Sequence, residues 1–559
     1  MRTTAPKSGA ADVAATQAHP TGLYALFGAE AWERFSYYGM RALLTLYLVK
    51  HLHIARPDAL AIYATYTGLV YLTPIAGGYF ADRLLGRRKA VLIGGILMAM
   101  GHLAMAFEPL LFIALGLLIL GNGFFKPNIS TIVGGLYGDG DARRDGGFTI
   151  FYMGINLGAF LAPLVCGNLG EKVSWHLGFS AAAIGMTAGL MVFVWGQKFL
   201  AAVGMPPRKA RASEAAPSSS PSDVQRLDRR DYFDVVAWVA GGAGLVWAVV
   251  TLRGQLGALW ASVPTVAAVV LALVVFGAIL YRLLHGATRD EAQQIAVIII
   301  LCAFNIFFWV GFEQAGGTMT LFADKQTDRV VGWGAIIVAA LVQFGAAVNI
   351  WRSTRQETGG RILWSTLTVF FVLSGIVTVA WGASALARGQ QIEIAASQFQ
   401  SINPLLIVAL APLFSKMWLR LDRGRFRTST PTKMAIGLIV LGLGFVVMFF
   451  GQKLAEAQGK VGMGWLAAVY AIHTVGELCL SPIGLSMVTK LAPARVVSLA
   501  MGLWFFSSFV ANYLAGTLES RLEPYHLPIY GVLIVSSIGP ALVLLALTPL
   551  LKRWMHGRA

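Results

Sequence analysis

The sequence predicts an all-α polytopic membrane protein, built as two six-helix bundles with extra helical hairpins. Three observations predict it. Of 559 residues, 57% are apolar and only 13% charged, where soluble domains carry about 25% charged residues. The apolar residues fall in long blocks, and ~20 helical residues cross the ~30 Å of a bilayer core. The net charge of +17 gathers in alternate loops, which is the positive-inside pattern of membrane proteins rather than the mark of a nucleic-acid binder. The weak alternation of an outer-membrane barrel is absent.

Taken in order, the first half holds apolar spans at about 23–49, 60–85, 90–107, 110–136, 147–169 and 177–200. A polar, Pro- and Ser-rich basic linker follows at 203–231 and reads as flexible and cytoplasmic. Two further spans, at about 232–252 and 258–284, form one extra hairpin within 232–288. The remainder lie at about 292–323, 333–351, 363–386, 397–418, 434–452, 463–489, 498–519 and 528–551, for sixteen in all. The pair at 333–386 contains no Glu, Asp or Lys within its spans and reads as a second peripheral hairpin inserted in a C-terminal bundle covering 289–551. Residues 1–22 and 552–559 are expected as cytoplasmic tails, flanking an N-terminal bundle at 23–202. The first twenty residues contain no apolar signal region, so no cleavable signal is expected.

With the N-terminus placed in the cytoplasm, the basic stretches at 83–89, 141–145, 203–231, 351–361, 420–427 and 552–558 all fall inside. About 30 Lys and Arg then lie inside and about 10 outside. Both termini are therefore expected in the cytoplasm of a multi-pass plasma (inner) membrane protein. Cys166, Cys302 and Cys479 lie far apart in apolar segments and show neither a disulfide framework nor a metal spacing.

The most informative span is the first. It carries Glu30, Glu33, Arg34 and Arg41, although each ionisable group at mid-bilayer costs roughly 2.5–3.5 kcal/mol on insertion scales. At ~100° per residue these charges share one face with Tyr37 and Tyr38. That face must look into a bundle or a wet cavity. Further charges and amides lie in later spans: Lys126 before Pro127, Asn156, Glu313, Asn403 before Pro404, and Glu477. The cations Arg34, Arg41 and Lys126 belong to the first half, and the anions Glu313 and Glu477 to the second. Two pseudo-equivalent halves around a midplane site is a common transporter plan.

On this skeleton the motifs resemble those of the proton-dependent oligopeptide transporter family of the major facilitator superfamily. The residues concerned are the Glu30-x-x-Glu33-Arg34-Phe35-x-Tyr37-Tyr38 run, GGYFADRLLGRRK at 77–89, GNGFFKPN at 121–128, FYMGINLG at 151–158, QSINP at 400–404 and GELCLSP at 476–482. The resemblance implies the major facilitator fold and import of di- and tripeptides by a proton-coupled symporter. The family usually has twelve helices, with an extra hairpin between the halves in bacterial members. The pair at 232–284 fits that hairpin, and the pair at 333–386 departs from the pattern.

The resemblance further implies that Arg34 and Lys126 face a peptide carboxylate, while Asn156, Asn403 and Glu477 face its ammonium. Tyr38, Tyr71, Trp309 and Trp504 would line side-chain pockets, with Tyr37, Arg41, Glu313 and Ser481 completing the peptide-binding set. Proton coupling needs a carboxylate whose affinity for a proton changes when a cation changes partner. The candidates are Glu30 and Glu33 beside Arg34, and Glu313 opposite the first-half cations, with Arg34 and Lys126 as the cations involved. Closure on the external side is expected to pair Arg41 with Glu313 and Lys126 with Glu477. Asp82, Arg83 and Arg87 read as a cytoplasmic latch.

The nearest rival is a carrier of nitrate or another small anion, which would need the cations without Glu477, Asn156 and Asn403. A membrane-embedded enzyme is the rival from another class. The chain offers no HExxH, no GxSxG in a suitable context and no nucleotide-binding loop. No enzyme activity, metal or cofactor is expected, the proton being a co-transported ion. The expected partners are small peptides, protons and lipid, with no nucleic acid and a monomeric state.

Overall fold

The computed structural model describes residues 18–138, 141, 143–205, 277, 280–281, 283–354, 361–423, 428–493 and 496–557. Most of the linker and most of the hairpin expected at 232–288 lie outside the described residues, as does the tail before residue 18.

The first half comprises α1 (Thr21–Leu46), α2 (Arg56–Phe80), α3 (Arg87–Ala104), α4 (Leu111–Gly135), α5 (Arg144–Ala162), the short α6 (Asn168–Lys172) and α7 (Trp175–Gly196). The second comprises α8 (Arg289–Phe312), α9 (Thr318–Lys325), α10 (Trp333–Thr354), α11 (Arg361–Ala387), α12 (Ile402–Arg423), α13 (Thr430–Gln458), α14 (Gly464–Leu491), α15 (Val497–Leu522) and α16 (Ile529–Trp554). Fourteen of the sixteen expected spans are therefore helices, six in the first half and eight in the second, and the other two fall at 232–284. Eleven described helices are long and apolar enough to cross a membrane. The eleven leave out α1, with its four charges, α3, which opens on Arg87-Arg88-Lys89, and α14, whose apolar run Gly464–Leu480 is shorter.

Local chemistry sets the helix ends. The α8 helix starts on a capping box: Glu291 N–H donates to Thr288 Oγ1 (3.3 Å) and Thr288 N–H to Glu291 Oε2 (3.0 Å). Gly86, at φ 74°, makes the left-handed turn between α2 and α3 that the GRRK loop requires. Gly77 and Gly123, from two of the motifs, press α2 and α4 together so closely that a Cβ on Gly77 would overlap the Gly123 carbonyl. Those motif glycines are packing devices.

Two hydrophobic cores form, one mainly from the first half with a contribution from α10–α12, the other mainly from the second half. One is centred on side chains such as Leu26, Met40, Phe125, Phe179 and Phe193, the other on Phe308, Leu438, Phe445, Met448 and Leu533. Following the antiparallel helices from Thr21 defines a near end, which holds the start of α1. The far end holds residues 46–56, 104–111, 168–176, 313–333, 387–402, 458–464 and 522–529.

The inserted pair α10–α11 leaves and re-enters the second half at one point of this far end. Val331 N–H donates to Ile392 O (2.8 Å) and Ile394 N–H to Arg329 O (3.1 Å), a short antiparallel stem under the two helices. The α10 helix packs on α12, and Phe371 of α11 meets Phe160 of α5, ring centroids 6.0 Å apart. The opposite face of α11, with Val369, Leu373, Ile376 and Trp381, is exposed and apolar, as expected of a surface against lipid.

Candidate functional site

The polar face of α1 separates into two clusters. Toward the near end, Arg34 Nε lies 2.8 Å from Glu30 Oε1 and 2.6 Å from Glu33 Oε2. Glu30 and Arg34 are four apart, which brings them together on one helix face. Asn122 of α4 donates to Glu33 Oε1 at 3.4 Å. All three charged groups are buried, and Glu30 Oε2 and Arg34 Nη2 have no hydrogen-bond partner. Two carboxylates against one guanidinium leave a surplus negative charge, open to a proton or a second cation.

Two turns on, Arg41 points across to the other half. Its Nη2 pairs with Glu313 Oε2, and its Nε donates to Tyr63 OH at 2.6 Å. Glu313 sits where α8 tightens into a 3-10 turn ahead of α9, so a break in the helix aims the carboxylate at α1. The pair expected between Arg41 and Glu313 is formed.

Beside it lies a cavity of about 170 Å³, room for a small solute rather than a few waters. Tyr38, Arg41, Tyr71 and Asn156 line its first-half wall, and Trp309, Glu313, Asn403 and Glu477 its second-half wall. Asn403 donates to Glu477 Oε2 (2.8 Å) and Thr474 Oγ1 (3.1 Å). Asn156 donates to Tyr152 O (3.0 Å), and Trp309 Nε1 to Asn305 Oδ1 (3.0 Å).

Several expectations need correction. Lys126 does not pair with Glu477 in this conformation. Its ammonium lies over the Tyr71 ring, 4.2 Å from the centroid, while Asn403 holds the carboxylate. A cation–π contact and a charge-assisted hydrogen bond thus occupy both would-be partners. Neither Lys126 nor Arg34 borders the cavity, although Lys126 covers one of its walls. Trp504 is brought to the core of the second half rather than to the cavity. Tyr37 is buried against Tyr38 and Tyr66, with the Arg34 guanidinium 5.6 Å from its ring centroid. The side chain of Ser481 lies outside the described residues. Asp82 accepts from Arg87 Nε (3.0 Å) across the α2–α3 turn, and Arg83 lies over the Tyr79 ring.

Sequence reasoning missed other groups. Tyr152, Gln400, Tyr470 and His473 line the cavity too. His473 is one turn from Glu477, and that i, i+4 spacing on α14 was the available signal. The far-end closure was also missed. Lys50 pairs with Asp324 (2.8 Å) and Arg56 with Glu519 (2.6 Å). Arg329 reaches Glu393 (2.9 Å), Glu171 and Asp324 (both 3.7 Å). Glu171 of α6 accepts the backbone N–H groups of Ala396 and Ser397, each at 2.8 Å. With Thr45 donating to Gly316 O (2.7 Å), the contacts of Lys50, Arg56 and Glu171 join the two halves at the far end.

The sequence model of the POT family matches residues 88–350 and 246–527 of this chain. The chain belongs to the POT family. Its relatives include "Peptide transporter YePEPT" of Yersinia enterocolitica, 33% identical over 562 residues and aligned over 96% of each chain. Another is a "Di-/tripeptide transporter" of Lactococcus lactis, 31% identical over 550 residues, covering 95% of this chain and 96% of the relative. Among solved structures, the crystal structure of a peptide transporter POT in complex with sulfate superposes with TM-score 0.74 at 33% identity, covering 99% of this chain and 100% of that one. A POT-family transporter in complex with 5-aminolevulinic acid gives TM-score 0.73 at 29% identity, covering 95% and 97%. The chain is thus a multi-pass membrane transporter of the major facilitator type.

Proposed function

We propose that the protein is a proton-coupled symporter that imports di- and tripeptides by alternating access. The observation that carries this reading is the bipolar cavity. Its first-half wall offers a guanidinium, its second-half wall a carboxylate backed by an amide, and tyrosines and Trp309 lie between. A short peptide of any sequence presents an ammonium, a carboxylate and variable side chains. Gripping the two ends and leaving aromatic surface for the rest suits that cargo. Glu477, Asn403 and Asn156 take the ammonium, and Arg34 and Lys126 attract the carboxylate. The relatives' names support the same cargo.

The far end is closed by Arg41–Glu313 and the surrounding ion pairs. A proton on Glu313 cancels its charge, releases Arg41 and lets the far end open to peptide. Loss of that proton toward the near end restores the pair and closes the gate behind the cargo. In this reading both termini are cytoplasmic, the far end is external, and the protein acts as a monomer in the plasma (inner) membrane. A nitrate-type carrier would have no use for a carboxylate and amide poised for an ammonium.

The test is uptake of a labelled dipeptide into proteoliposomes. Accumulation should follow an inward-acid pH gradient and collapse with an uncoupler. Uptake that ignores both would overturn the symport reading.

A further inference from the structure

At the far end of the first half, three side chains from three separate elements meet. His51 closes the π turn after α1, Glu108 lies in the 3-10 turn between α3 and α4, and His176 is the second residue of α7. His51 Nε2 lies 2.6 Å from Glu108 Oε1. The two imidazoles meet edge to face with centroids 5.7 Å apart. One potential donor atom from each residue lies within 4.8 Å of the other two. A simple His–Glu hydrogen bond accounts for two members of this group but leaves the third unexplained, and His176 Nδ1 is buried with no hydrogen-bond partner. The rings are also held in place. Tyr47 stacks on His51 at 5.2 Å, and Trp175 packs against both.

We propose that His51, Glu108 and His176 bind a zinc ion, with water in the fourth position. Two imidazoles and one carboxylate form a donor set suited to Zn²⁺, which binds N and O donors at ~2.0–2.2 Å in a tetrahedron. Donors in such a tetrahedron stand ~3.4 Å apart. To reach this spacing the close His51–Glu108 pair opens slightly and His176 swings in. No spaced motif marks this site, because the ligands come from three distant turns.

The site lies wholly within the first half. The ion ties together the ends of α1, the α3–α4 turn and the start of α7, and it bridges nothing that must separate during transport. Its effect is therefore on the stability of that half. Lys50, which pairs with Asp324 across the seam, neighbours the site but is not a ligand.

The experiment uses the full-length detergent-purified protein, free of any polyhistidine tag and stripped with a chelator. Zn²⁺ alone is titrated by calorimetry, Co²⁺ serves as a spectroscopic probe, and thermal unfolding is followed with and without Zn²⁺. One Zn²⁺ per chain, a raised Tm and a tetrahedral Co²⁺ spectrum are expected. His51→Gln and His176→Gln should abolish all three while retaining dipeptide uptake, which certifies their fold. Glu108→Gln, at a half-exposed position, should weaken binding without disturbing assembly. No stoichiometric binding, or the same binding and Tm shift in these variants, would overturn the proposal.

Discussion

The two charge clusters of α1 sit on one face of one helix, yet they differ in what completes them. Glu30, Glu33 and Arg34 pair with one another within the helix, with Asn122 as a neighbour from the same half. Arg41 finds its carboxylate on Glu313, across the seam. In the proposed rocking of the halves, the first cluster travels as a unit, whereas the second breaks. A proton held in the local cluster therefore need not sense which way the carrier faces. In the proposed cycle a proton on Glu313 does, because it competes directly with the Arg41 contact that we propose as the gate. Sharing a helix face does not give the clusters the same role; the half that supplies the partner does.

The largest effect expected from disturbing the local cluster comes from Arg34→Ala. It leaves two buried carboxylates facing each other, and removing one partner of a buried pair typically costs ~3–5 kcal/mol. Both gradient-driven accumulation and peptide-for-peptide counterflow should fail. Counterflow at the parent's rate would show that Arg34 serves neither binding nor assembly.

A smaller and more selective effect is expected on the second-half wall. Glu477→Ala should weaken a dipeptide with a free amine by ~2–5 kcal/mol. Much of that loss should vanish for an N-blocked dipeptide, which has no charge to pair. Competition binding with the two ligands reads the difference, and equal losses would make Glu477 a structural residue.

The smallest effect should come from removing α10–α11. The stem beneath them fixes where to cut: joining Gly332 to Gln390 keeps Arg329 in the far-end network and preserves its ladder to Ile394. Uptake by a membrane-inserted deletion should stay within about tenfold, or ~1.4 kcal/mol, of the parent. Loss of transport in a well-folded deletion would mean that the contact of Phe371 with Phe160 contributes to rocking.

How much of this was legible follows from the physics of each feature. The polar face of α1 was readable because charges at bilayer depth are too costly to be incidental. The Arg41–Glu313 pair was readable because isolated opposite charges in two apolar halves must find each other. Lys126 and Glu477 met the same criterion but are unpaired here, because an aromatic face and an amide compete for them, and sequence does not rank such partners. Trp504 was misplaced because it stands in a run of three aromatics, Trp504-Phe505-Phe506, which points to every side of the helix and carries no phase information. The far-end contacts of Lys50, Glu171, Asp324 and Arg329 were invisible because charges at helix ends look alike whether they meet water or another half. The inserted hairpin was legible as two apolar spans, while its stem of a few backbone hydrogen bonds has no sequence pattern.

The claim that Glu313 links the proton to the gate is tested most directly by a paired measurement in proteoliposomes. Glu313→Gln and, as its control, Glu30→Gln are each assayed for accumulation under an inward-acid gradient and for counterflow with preloaded peptide. Glu313→Gln should lose accumulation yet still exchange peptide, since exchange needs no net proton movement, and Glu30→Gln should still accumulate. A Glu313→Gln protein that accumulates peptide like the parent would contradict the account and return coupling to the local cluster.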